Sequence, residues 1–253
     1  MPHLIAYRIG SLQNPHLPLA QVAEMGIQGL ELVWTEKTTV EQVAAALSPH
    51  GLRVTSIHAQ CPLEDDGLPE VLGQRAAQAA DLGATYLFVS AHAGEMPKQE
   101  AYERLRRLGD AVGTHQVYLA METHPDLCQN AANMLETMAA VNHPWVGINY
   151  DTANVLYYTQ GVDTLTELEQ VTDHVRGVHY KDTFGKFKDP NFPVFGEGIV
   201  DFAAVDQVLT SGGYTGACAM ELEGPTFNAN NTADLAAKVA RCVDHLRQVG
   251  AFS

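Results

Sequence analysis

Basic side chains are scarce in this 253-residue chain: 15 Lys and Arg stand against 30 Asp and Glu, a formal charge of −15 at pH 7. A field of that sign repels polyanions, so no nucleic-acid partner is expected, although a small local basic pocket is compatible with it. Cysteine is sparse as well. Cys61, Cys128, Cys218 and Cys242 are widely spaced and form no CxxC pair, which reads as reduced thiols in a cytoplasmic protein. No run of about eighteen apolar residues exists, so no membrane span is expected. No basic start followed by an apolar run marks a signal peptide. No GxGxxG follows the first strand-like run, which removes the main dinucleotide fingerprint. Internal repeats, low-complexity stretches and heptad arrays are missing too, and residues 1–253 are read as a single domain.

What the chain does have is alternation. Apolar residues make up 46% of it, enough for a sizeable core, and they fall into two rhythms. Strands are predicted at 4–8, 29–34, 53–59, 85–92, 117–122, 146–151, 176–180 and 217–222. Between them lie helical patterns. Leu19, Val22 and Met25 share a face in 18–26. Thr39 caps a helix that ends near Gly51. Further helices are predicted at 69–82, 98–112, 130–141 and 163–171, in the stretch that opens at Asp201, and at 232–249. One such unit recurs about every thirty residues, eight times, which favours an α/β fold with parallel strands closed into a (β/α)8 barrel. Loop 183–199 is the longest irregular stretch and is read as a candidate lid.

In a barrel of this kind the C-terminal strand ends form the active face. Glu31, His58, His92, Glu122, His124, Asp151, His179 and Glu221 all fall at or near such ends. Singly, a strand-end His or Asp is more often a cap, a paired group or a solvated rim residue. Jointly, Glu122, Asp151, His179 and Glu221 call for another explanation, because clustered carboxylates repel one another and a cation is the usual relief. Three carboxylates and an imidazole form a hard oxygen and nitrogen shell for one divalent metal ion. Mn²⁺ and Mg²⁺ suit it best, with Co²⁺ and Zn²⁺ also compatible. A structural zinc site would use thiolates, and none sits at these ends. Such an ion could polarise a carbonyl and acidify the neighbouring carbon. Glu122 and Glu221 could then move the proton.

Five motifs stand in a particular order: METHPD at 121–126, YDTAN at 150–154, VHYKD at 178–182, FGEGIVDF at 195–202 and GYTGACAMELEG at 213–224. In that order and spacing, and over nearly its whole length, the chain resembles the xylose isomerase-like TIM barrels, the sugar phosphate isomerase and epimerase group. The resemblance implies that Glu122, Asp151, His179 and Glu221 are metal ligands and that Glu122 and Glu221 are also the catalytic pair. His58, His92, Asn154, Lys181 and Glu31 are expected to contact substrate, with Glu31 either binding a hydroxyl or orienting His58. The implied reaction is isomerisation or epimerisation of a small keto sugar or polyol.

The chain departs from the ketose epimerases of that family at three substrate contacts. Asn154 stands where many members have His, Cys128 where the ketose epimerases often have a second Glu, and Gly185 where they have Arg. The VHYKD form is closer to other isomerases and to dehydratases of the inosose or dehydroshikimate type, which would use the same metal and expel a β-hydroxyl. An endonuclease IV-like nuclease is a remote alternative, since Asn154 replaces a needed His and loop 183–199 contains none. A sugar-binding barrel without turnover would not need all four ligands. The partner implied is a small carbohydrate, and self-association into a homo-oligomer is left open.

Overall fold

Eight short parallel strands close on themselves. They are β1 (Leu4–Arg8), β2 (Gly29–Val33), β3 (Arg53–His58), β4 (Tyr86–Val89), β5 (Tyr118–Glu122), β6 (Val146–Asp151), β7 (Val175–Tyr180) and β8 (Ala217–Met220). Each pairs with its sequence neighbour, and β8 pairs with β1, so Tyr7 lies opposite Met220. The computed structural model describes residues 3–228 and 231–252. The helices among them are α1 (Leu19–Glu24), α2 (Val40–Leu47), α3 (Leu68–Asp81), α4 (Lys98–Gly113), α5 (Ala131–Val141), α6 (Asn154–Tyr158), α7 (Thr164–Val171), α8 (Phe202–Ser211) and α9 (Thr232–Gln248). No helix among the described residues is long and apolar enough to cross a membrane.

The helices form for local reasons and dock for hydrophobic ones. At the start of α2, Thr39 Oγ1 accepts the Gln42 amide and Gln42 returns its side chain to the Thr39 amide. This capping box is worth about 1 kcal/mol. In α4, Ala101, Tyr102, Leu105, Leu108, Gly109 and Val112 are buried, the three-and-four spacing of a stripe pressed on the strands. Most buried apolar residues lie in this layer between strands and helices. The barrel axis has its own small clusters, with Ala6, Ala217 and Ala219 on one side and Tyr86, Phe88 and Ala120 on the other.

The predicted strands agree closely except at two ends. β4 stops at Val89 rather than His92, and β8 at Met220 rather than Leu222. Pairing, not hydropathy, decides the first. Ala59 donates to Phe88 O, after which the Ser90 side chain turns to Glu122. Helix α6 was not visible as a periodic pattern because it is too short to show one.

Two register shifts set the interior. Leu30 pairs with Val54 but Glu31 with Ser56, so Thr55 is skipped. Ile148 pairs with Val175 but Asn149 with Gly177, so Arg176 is skipped. Irregularities of this kind re-aim side chains beside functional sites. Here they set Glu31 beside Ser56 and Asp151 beside His179.

Loop 183–199 carries no helix or strand. Its base is tied by one carboxylate: Asp182 accepts the amides of Thr183, Gly196, Gly198 and Val200 at 2.8–3.1 Å. Gly198 has to be glycine for this, since a Cβ there would lie 2.2 Å from Asp182 Oδ1. Phe192, Val194 and Phe195 are buried, and the Phe192 ring centroid lies 4.7 Å from Lys181 Nζ.

Candidate metal centre

Glu122 ends β5, Asp151 ends β6, His179 is the penultimate residue of β7, and Glu221 follows β8. Each is buried and offers a ligand atom, and the four atoms lie within 4.8 Å of one another. From His179 Nδ1 the distances are 3.3 Å to Glu122 Oε1, 3.5 Å to Glu221 Oε2 and 3.8 Å to Asp151 Oδ2.

Each of the four side chains is held by its other atoms. Asp151 Oδ1 accepts the amides of Ala153 and Asn154 at 2.8 and 2.7 Å, so the DTAN turn pins the carboxylate. Its Oδ2 is buried and accepts no hydrogen bond of good geometry, although Lys181 Nζ stands 3.2 Å away. Glu122 Oε2 accepts the Ser90 hydroxyl at 2.8 Å and lies 2.8 Å from His124 Nδ1. Glu221 Oε1 accepts a hydrogen bond from Arg8 Nη1. His179 Nε2 lies 3.0 Å from Glu31 Oε1.

The charges do not balance. Glu31, Glu122, Asp151, Glu221 and Glu223 converge, and the permanent cations among them are Arg8 and Lys181. Removing one carboxylate from water costs several kcal/mol, so the excess requires neutralisation. Burial raises Asp151 to about 6 against the pull of Lys181. Burial and Glu221 push Glu122 upward, but the neighbouring His124 and His179 rings prevail and hold it at about 2. For Lys181 burial opposes the charge, and Asp151, Glu221 and Glu223 outweigh it to keep the ammonium well above its ordinary value. An orphaned carboxylate oxygen facing an imidazole nitrogen and two further carboxylates fits a divalent cation, and the donors are of the hard oxygen and nitrogen kind.

The other expected site residues are placed as follows. Asn154 joins the centre, its Nδ2 3.5 Å from Glu122 Oε1 and its Oδ1 accepting from Lys181 Nζ at 3.1 Å. Lys181 is 1% exposed. Glu31 is fully buried beneath His179 and also lies 3.7 Å from Arg8 Nε. His58 lies at the edge of the centre, 3.3 Å from Arg8 Nη2 and against Phe88. His92 is exposed, contacts Pro125 O and lies 5.7 Å ring to ring from His124.

His124 is one of the expected strand-end residues, whereas Arg8, Ser90, Ser56 and Glu223 were not expected at the site. Arg8 carried the signal used for the others, since it is the last residue of a strand. Ser90 and Ser56 carried none, because a serine in an apolar run is commonplace.

Comparison with known proteins agrees with this architecture. Residues 19–248 match the family described as xylose isomerase-like TIM barrel. An L-ribulose-5-phosphate 3-epimerase, UlaE, of Escherichia coli is 30% identical over 237 residues, covering 85% of this chain and 78% of that protein. Among solved structures, a xylose isomerase domain protein from Planctomyces limnophilus superposes with a TM-score of 0.77 at 19% identity, covering 99% of both chains. A D-allulose 3-epimerase from Methylomonas sp. gives 0.76 at 16% identity, covering 98% of each. The chain belongs to the xylose isomerase-like TIM barrel family.

Proposed function

We propose that the protein is a divalent-metal-dependent epimerase or isomerase of a small keto sugar, which moves a proton at the carbon beside the carbonyl. The observation that carries this reading is the convergence of two glutamates on one point, with Glu122 Oε1 and Glu221 Oε2 lying 3.3 and 3.5 Å from His179 Nδ1. They come from strands separated by β6 and β7, so they approach the centre from different sides. The epimerase relatives support the same reaction class.

Glu122, Asp151, His179 and Glu221 would hold one ion, with Mn²⁺ or Mg²⁺ suiting the donors best. When bound, such an ion supplies Lewis-acid polarisation of the substrate carbonyl. The proton work belongs to the chain. Glu122 takes a proton from one face of the carbon, and Glu221 passes to the other face a proton drawn from the Lys181 ammonium 2.5 Å from its Oε2, roles that positioned carboxylates fill at about 10²–10⁴-fold each. Ser90 and His124 fix the orientation of Glu122, and Arg8 fixes that of Glu221. Lys181 and Asn154 line the same floor and can hold substrate oxygens. Both cations of the centre are already engaged by carboxylates, which favours a neutral sugar over its phosphate ester.

His124 supports a second reading, the dehydratase. Burial lowers its pKa, but Glu122, 2.8 Å from its Nδ1, raises it above the ordinary histidine value, and an imidazole that exchanges its proton with solvent can pass one to a departing hydroxyl. Product analysis separates the two. L-ribulose and L-ribulose 5-phosphate, incubated with Mn²⁺-loaded protein, are expected to give epimers, faster with the neutral sugar. Loss of water from a keto polyol with no epimer formed from any keto sugar would overturn the epimerase reading.

A further inference from the structure

We propose that Glu31 is a positioning residue that selects which nitrogen of His179 faces the cation site. The inference rests on the reading of Glu122, Asp151, His179 and Glu221 as a metal centre, and it extends that reading to a residue outside the ligand set.

An imidazole has two nitrogens, and a neutral ring carries its proton on one of them. In His179 the two face different surroundings. Nδ1 looks toward Glu122, Asp151 and Glu221 at 3.3–3.8 Å. Nε2 looks toward Glu31 Oε1 at 3.0 Å. A carboxylate can only accept, so it holds the proton on Nε2 and leaves the Nδ1 lone pair for a cation.

Glu31 is built in rather than incidental. Both it and His179 are 0% exposed. Its second oxygen, Oε2, accepts the Ser56 hydroxyl at 2.7 Å. Ser56 stands opposite Glu31 because the register shift after Leu30 skips Thr55, whose own hydroxyl donates to Leu30 O at 3.0 Å. Without that shift Thr55 would pair with Glu31. The ring is clamped from another side by Phe88, edge to face at 4.6 Å between centroids. Rotation of the imidazole about its bond to Cβ would give up the Glu31 hydrogen bond and leave a buried carboxylate without its main partner. A buried group that loses such a partner is strongly disfavoured.

Two measurements test the assignment. The first is Mn²⁺ affinity of the wild type, Glu31→Gln and Glu31→Ala, with circular dichroism to confirm folding. Glu31→Ala is expected to weaken binding by about 10–100-fold. Glu31→Gln is expected to weaken it less, because the amide oxygen still accepts from Nε2. The second is the ¹⁵N spectrum of the His179 ring in Zn²⁺-loaded wild type, expected to show a protonated Nε2 and a metal-bound Nδ1. Wild-type binding left unchanged by Glu31→Ala, or a ring bound through Nε2, overturns the positioning role and leaves the metal centre standing. A wild type that binds neither ion overturns both. If the Glu31 variants do not fold, the ring spectrum of the wild type decides.

Discussion

The ammonium of Lys181 stands 2.5 Å from Glu221 Oε2, with both side chains buried. The same Nζ reaches Asp151 Oδ2 at 3.2 Å and Glu223 Oε1 at 2.8 Å. One lysine therefore compensates part of the charge that a cation would otherwise have to meet. Replacing it with methionine keeps the bulk and removes the charge. Breaking a buried pair in this way costs about 3–5 kcal/mol. Lys181→Met is expected to lose stability of that order in urea unfolding and to recover part of it with Mn²⁺. Unchanged unfolding in the absence of metal would show that the ammonium contributes nothing to the balance.

Metal binding should rise with pH. Burial lowers the pKa of His179, but Glu31, Glu221 and Glu122 outweigh it and raise the ring well above its ordinary value. Asp151 is raised to about 6 by burial. A cation must displace whatever protons these groups hold, so the metal-bound state carries fewer protons than the free state. Fewer protons bound means that affinity increases with pH, and it should fall most steeply as pH drops below about 6, where Asp151 is also protonated. Titration calorimetry in buffers of different ionisation enthalpy would show proton release on binding. Equal affinity at about pH 6 and about pH 8 would contradict it.

Loop 183–199 should loosen when Asp182 is removed. Its carboxylate accepts four backbone amides that bracket the loop. Each orphaned buried donor costs on the order of 1–3 kcal/mol, less where water can reach it. Asp182→Ala is expected to unfold at lower denaturant and to be cleaved faster within 183–199. Equal cleavage of variant and wild type would mean that the loop is held elsewhere.

Much of this was legible in the sequence, for a physical reason. Strand ends are where a short apolar run stops, and Glu122, Asp151, His179 and Glu221 each mark such an end. The barrel followed from counting the units. Partner choice was not legible. Glu31 and His179 lie 148 residues apart, and they meet only because the barrel closes with a residue skipped between β2 and β3. Hydropathy carries no record of a skipped residue. A strand-end position also reads as an open rim. His179→Ala would then cost little stability, whereas the fully buried ring against Phe88 and Glu31 makes it costly. Arg8 shows a third gap, because its partner Glu221 lies at the other end of the chain.

The most direct test of the two-glutamate account is deuterium uptake from solvent. Mn²⁺-loaded wild type, given L-ribulose in deuterated water, should add deuterium at the carbon beside the carbonyl, read by mass spectrometry. Gln keeps the shape of Glu and one oxygen ligand but removes the base. Glu122→Gln and Glu221→Gln should therefore retain measurable metal binding, and each should lose exchange or epimer formation by about 10²–10⁴-fold. If both variants exchange and turn over at the wild-type rate on a substrate that the wild type accepts, the two glutamates are not the proton-handling pair.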